Sequence, residues 1–213
     1  MDRKKGKVIA AFGIPGSGKS TTVKELGKLL NIKTFHEPEE KHWANAVMDR
    51  HLSGNFTAIM WFRSIRVPML FQADQIREKG GLAIVDSFYD KLFSLYISSR
   101  GIQWLYNKND VYFDEMKAIS SKDYYLLPDA DYLIFFKIDF DTWSKFIQIR
   151  DRVLDNNIEF QKQCFSSQEP FFTAARKYAK EKNCELIVVN QKFSSPKETA
   201  KRVADILMNK INT

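Results

Sequence analysis

With 213 residues, 44% hydrophobic and 28% charged, the chain has the composition of a folded protein, and its length fits one α/β domain over 1–213. A formal net charge of +7 suits a polyanionic ligand, for which nucleotides and nucleic acids both qualify. No run approaches the roughly 18 consecutive apolar residues of a membrane span, the charged start Asp2-Arg3-Lys4-Lys5-Gly6-Lys7 lacks the apolar stretch of a signal peptide, and Cys164 and Cys184 have no paired-ligand spacing, so a soluble, reduced, cytoplasmic protein is expected.

In chain order, five short apolar runs read as strands buried on both faces: Lys7–Gly13, Lys33–Glu37, Leu82–Ser87, Tyr132–Asp139 and Glu185–Asn190. Between the first two, Thr21–Leu30 carries Val23, Leu26 and Leu30 at helical spacing. Phe56–Lys79 is a long amphipathic stretch stopped by Gly80-Gly81. At the end, Ser195 is placed to cap a helix over Pro196–Ile211, with Ala200, Val203, Ile206 and Leu207 on one face. Strands alternating with helices predict a five-stranded parallel sheet with helices on both faces. Functional loops then belong at the carboxyl ends of the strands. Gly13, Glu37, Asp86 and Asp139 all fall there.

The segment Gly13-Ile14-Pro15-Gly16-Ser17-Gly18-Lys19-Ser20 fits G-x-x-x-x-G-K-[ST] in full, between a predicted strand and a predicted helix. Its glycines let backbone N–H groups close on a phosphate, and the following helix, with Thr21 in its first turn, adds the positive end of its dipole. Lys19 is expected on the β- and γ-phosphates and Ser20 on Mg²⁺. ATP with Mg²⁺ is therefore the expected cofactor pair.

Further features stand in a fixed order along the chain. The second strand ends in Glu37-Pro38, followed by Trp43; the third ends in Asp86-Ser87, followed by Phe88-Tyr89; Lys145, Arg150 and Arg152 share a later helix. With the phosphate loop, this order from Val8 to about Asp155 resembles the deoxynucleoside kinases and, more distantly, the thymidylate kinases. The resemblance implies a P-loop kinase fold with a helical lid. It also implies phosphoryl transfer from ATP to the 5′-hydroxyl of a (deoxy)nucleoside. Glu37 takes the position of the carboxylate that accepts the hydroxyl proton, Asp86 that of the acidic support for Mg²⁺, Arg150 and Arg152 those of the lid pair, and Asp155 that of the residue on the sugar 3′-hydroxyl. Relatives of this kind are commonly dimers, so a homodimer is among the expectations.

The chain departs from that pattern in three places. Trp43 lies one residue farther from Glu37 than the usual Glu-Pro-x-x-x-Trp spacing. Ser87 stands where relatives carry Arg, and Lys91, one helical turn on, is the candidate replacement. The helical Gln that pairs with the base edge is missing; counting back from Asp86 puts Arg63 near its position, with Arg66 one turn further. Arginine only donates, which favours an acceptor-rich base edge or an anionic group such as a monophosphate. Trp43, Phe62, Arg63, Tyr96 and Asp155 are therefore the expected substrate contacts, with Trp61 and Tyr89 as further candidate ring surfaces. His36, His42 and His51 lack zinc spacing. Two other functions stay open. One is a nucleoside monophosphate kinase of the thymidylate kinase type. The other, ranked third, is a P-loop protein that binds nucleotide or nucleic acid without turnover.

Overall fold

The computed structural model describes residues 6–150 and 158–211. Five strands form one parallel sheet: β1 (Lys7–Phe12), β2 (Lys33–His36), β3 (Leu82–Asp86), β4 (Tyr132–Lys137) and β5 (Glu185–Asn190), in the order β2-β3-β1-β4-β5. Each coincides with one of the five apolar runs; the first four are shortened by a residue or two at the carboxyl end, and β5 matches its run.

Alternate residues of the central strands feed two separate cores. Ile9, Ala11, Ile84, Ile134 and Phe136 pack on helices α1 (Lys19–Leu30) and α9 (Pro196–Ile211), through Val23, Leu26, Val203 and Leu207. Val8, Ala10, Phe12, Val85, Leu133 and Phe135 face the other way. There they meet α3 (Arg50–Glu78), α4 (Tyr89–Tyr96), α5 (Phe113–Leu126), α6 (Phe140–Arg150), α7 (Ile158–Ser166) and α8 (Gln168–Lys182). Strands apolar at every position are what such two-sided burial requires.

The crossover that leaves β1 runs through α1 on one face, and the one that leaves neighbouring β3 runs through α4 and α5 on the other. A crevice therefore opens between the carboxyl ends of β1 and β3, where α/β sheets bind ligands.

Ser195 caps α9 in a reciprocal box: its Oγ accepts from Glu198 N at 3.3 Å, and the Glu198 carboxylate accepts from Ser195 N at 3.0 Å. α3 begins one and a half turns earlier than its periodicity predicts, across a break at Gly54 (φ 80°, ψ 159°), preceded by the short helix α2 (Asn45–Met48). Helices α4, α5 and α8 have no counterpart in the sequence reading. Cys164 and Cys184 are buried and unbridged. Among the described residues, no helix is long and apolar enough to cross a membrane.

At the far end of the sheet the buried Tyr178 hydroxyl accepts from Ala130 N at 2.9 Å and donates to Asp129 at 3.2 Å, fixing the entry to β4. Tyr178→Phe leaves that N–H unpaired in the core. It should lower unfolding free energy by about 1–3 kcal/mol, read as a lower urea midpoint at unchanged slope.

Candidate active site

The phosphate loop is held from behind. Tyr89 of α4 donates its hydroxyl to Gly13 O at 2.7 Å, Trp143 of α6 donates its indole N–H to Pro15 O at 2.8 Å, and Gln191, just past β5, donates its amide to Ser17 O at 2.9 Å. With those carbonyls engaged on the protein side, the loop is set for its N–H groups to face the cleft. Close packing explains two glycines. A Cβ at Gly16 (φ 80°) would lie 2.5 Å from Ile147 Cδ1, and one at Gly18 (φ 76°) 2.9 Å from the Gln191 amide. Pro15, Gly16, Gly18, Lys19, Ser20 and Thr21 line a cleft of about 640 Å³, while Gly13, Ile14 and Ser17 are buried beneath it.

Lys19 is buried, its Nζ 3.5 Å from Ile14 O and 5.2 Å from the centre of the Tyr89 ring. Burial pushes its pKa below the ordinary lysine value; Asp86 and Glu37 oppose that shift, and Arg150 adds to it. Burial also raises the Tyr89 hydroxyl, helped by Glu37 and Asp86, so it stays a donor to the loop.

Glu37 follows β2 directly, across the crevice from Lys19. Its Oε1 accepts from Arg66 Nη1 at 3.0 Å and from Ser87 Oγ at 2.9 Å. Arg66, projecting from α3, also grips Asp90 with two bonds of 2.6 and 3.0 Å and lies over the Phe62 and Tyr89 rings. Although burial opposes its charge, Asp90 and Glu37 raise the guanidinium above its ordinary pKa. Phe62 meets Trp43 edge-on at 5.3 Å, and the Trp43 indole closes back on Pro38 O at 3.0 Å. A 3₁₀ turn over Glu40–His42 takes up the extra residue before Trp43. Trp43, Phe62 and the buried Tyr96 all line the cleft, as does Arg150 at the end of α6.

Two expectations fail. Arg63 does not line the cleft; it turns to α5 and forks onto Asp123 with two bonds of 2.7 Å, so the arginine one helical turn on, Arg66, faces the acceptor end instead. Lys91 does not replace the cation absent at Ser87, because it is buried beneath α4 against Asp129 at 2.9 Å and the Leu127 carbonyl. The cation beside Ser87 and Glu37 is Arg66, from α3. Arg152 and Asp155 lie outside the described residues.

The cleft also holds residues that sequence reasoning did not commit to. Asp90, Phe93 and Asn55 line the acceptor end, Phe171 enters from α8, and Phe146, Gln191 and Phe193 line the opposite end beside the loop. Asp90 could have been found from its place in the first turn after β3. Phe171 carries no local signal at all. His36, set aside as a metal ligand, sits in the cleft with Nδ1 3.5 Å from Asp86 Oδ2.

The group expected at Ser20 and Asp86 is a hard divalent cation. Asp86 is 3% exposed, and its Oδ1 has no hydrogen-bond partner, an orphaned oxygen of a carboxylate whose charge acts on Lys19. Its chemistry fits Mg²⁺ or a water bound to it. Among the described residues no cluster of three acidic, His or Cys ligands is present.

No family model matches the chain, and no curated protein does either. Solved structures do. A deoxyadenosine kinase from M. mycoides with bound dATP superposes with a TM-score of 0.70 at 21% identity, covering 97% of this chain and all of its own (100%). Thymidylate kinase from Candida albicans follows at 0.67 and 19%, covering 98% and 94%. The M. mycoides enzyme with the products dCMP and dCDP matches at 0.63 and 20%, covering 96% and 98%. The chain thus has the P-loop kinase fold, at full length and without close sequence kinship.

The Arg63–Asp123 pair gives a separation of roles. Arg63→Met strands a carboxylate that is 7% exposed and should destabilise the fold by roughly 2 kcal/mol. ATP affinity of the folded fraction, measured by calorimetry, should stay within about twofold of wild type, because the residue lies outside the cleft.

Proposed function

We propose that the protein is an ATP-dependent kinase that transfers the γ-phosphoryl group to the 5′-hydroxyl of a (deoxy)nucleoside. The observation that carries this reading is Glu37, an immobilised carboxylate facing a phosphate-binding loop across one cleft, close enough to influence the Lys19 charge. The loop amides and Lys19 bind the ATP phosphates, and Phe146 and Phe193, 5.8 Å apart, flank the entry on the donor side. In the acceptor half the nucleoside lies among Trp43, Phe62 and Tyr96, with Asn55 offering both a donor and an acceptor to the base.

Catalysis on this reading is mostly positioning and charge stabilisation. The acceptor's 5′-oxygen bonds to Pγ as the bond from Pγ to the β,γ-bridging oxygen breaks. ADP leaves with that electron pair, and the hydroxyl proton passes to Glu37 and from there to water. Lys19 and Arg150 face the charge that develops on the transferring group. Ser20 and Asp86 would hold Mg²⁺, which when bound neutralises charge on the β- and γ-phosphates. Arg152 and Asp155 keep the lid and sugar roles that the resemblance gives them.

A monophosphate kinase is the second reading, favoured by Arg50 and Arg66 in the acceptor half. Arg66 already serves two carboxylates, however, and Glu37 would repel an incoming dianion. That charge balance favours the neutral nucleoside.

The direct test is ADP release with Mg²⁺ across deoxynucleosides, ribonucleosides and their monophosphates, with Lys19→Ala as control. A nucleoside-dependent rate that Lys19→Ala lowers by about a thousandfold or more is expected. A rate seen only with monophosphates would move the assignment to the second reading, and ATP binding without turnover on any acceptor would sink both.

Lys19 also sets a pH dependence. Without nucleotide its lowered pKa lets the proton go at a lower pH than an exposed lysine, and bound phosphates favour the charged form. ATP binding should therefore take up a proton wherever the unliganded Lys19 has lost its own, with affinity falling as pH rises through the Lys19 ionisation. Calorimetry in buffers of different ionisation enthalpy reads the uptake directly; an affinity flat with pH would remove Lys19 from the phosphates.

A further inference from the structure

A glutamate at the end of an edge strand has three side-chain torsions to settle, and a reacting carboxylate misplaced by an ångström loses much of its rate. Here two donors from different elements converge on a single oxygen. Arg66 Nη1 on α3 and Ser87 Oγ just past β3 both bond Glu37 Oε1, while Oε2 receives no hydrogen bond from any described residue. Neither donor is free to drift. Ser87 is 7% exposed, and Arg66 is forked onto Asp90 and lies between the Phe62 and Tyr89 rings.

We propose that Arg66 and Ser87 are positioning residues that saturate Oε1 of Glu37 and so present Oε2 to the acceptor hydroxyl, a device that rests on the reading of Glu37 as the proton acceptor. The Ser87 hydroxyl then has a use of its own where the resemblance leads one to expect a cation. Short and buried, it donates to the same oxygen that Arg66 holds. A loose phosphoryl transition state asks for an oriented hydroxyl more than a strong base, so aim is what the two donors supply. Asp90 completes the arrangement by fixing the guanidinium plane, so the acceptor carboxylate is aimed from β2, α3, α4 and the end of β3 together.

A double-mutant cycle between Ser87 and Glu37 tests this, with kcat for the best nucleoside acceptor and KM for ATP as readouts. Ser87→Ala alone should lower kcat about tenfold with KM for ATP unchanged, since the phosphate loop is untouched. In a Glu37→Ala background the same change should alter kcat by less than about twofold, because Ser87 acts only through the carboxylate. An undiminished effect of Ser87→Ala in that background, or no effect of it on kcat in the wild-type background, overturns the positioning role and leaves Glu37 as the base. Full kcat in Glu37→Ala alone overturns the reading of Glu37 and this proposal with it. The unchanged KM for ATP guards against a general loss of fold, which would move both constants.

Discussion

The half of the cleft around Glu37 is organised around one buried cation. Arg66 bonds Glu37 and Asp90 and lies over two aromatic rings, so β2, α3, α4 and Phe62 are all referred to a single guanidinium. A lone arginine at 11% side-chain exposure would be costly to desolvate, and pairing it with one carboxylate recovers only part of that cost. Two carboxylates with a two-bond fork leave the cluster well satisfied but net negative. Such a cluster adds little to stability against an apolar replacement; what it supplies is a fixed geometry.

The donor half is built on the opposite logic. Polar side chains from α4, α6 and the end of β5 bond the backward-facing carbonyls of the loop, and the apolar bodies of Ile147 and Phe146 leave no room for a Cβ at Gly16 or Gly18. The loop is preorganised by its second layer, so phosphate meets amides already in place. Tyr89 belongs to both halves. Its hydroxyl holds Gly13, Lys19 lies over its ring 5.2 Å from the centre, and Arg66 lies 5.5 Å from the same centre. One residue thereby sets the spacing between Lys19 and Arg66.

Most of the framework was legible in the sequence because its signals are local. Strands buried on two faces must be apolar throughout, and the phosphate loop must be glycine-rich where backbone and neighbours close in. What was not legible depends on long-range choices. In α3 the apolar Ile59, Met60, Trp61, Phe62 and Val67 do not keep to one face, so periodicity could not tell whether Arg63 or Arg66 faces the cleft. The deciding partners, Asp123 and Asp90, come from other helices. Lys91 looked available because it is a charged residue one turn past Asp86; only the packing of α4 on α5 shows its side chain turned inward to Asp129. Phe171 reaches the cleft from α8, a helix that no sequence signal marked.

The departure at Ser87 shows why a motif is best read as a set of charges in space. Here the cation beside Glu37 reaches in from α3, and the residue directly after the acidic end of β3 is a small hydroxyl bonded to the same carboxylate oxygen. With Arg66 drawn in by Asp90, a small hydroxyl at 87 is the compatible choice, and an arginine there would put a second guanidinium beside the first. Residues 66, 87 and 90 form one steric and electrostatic solution. None of them can be judged missing or conserved in role without the other two.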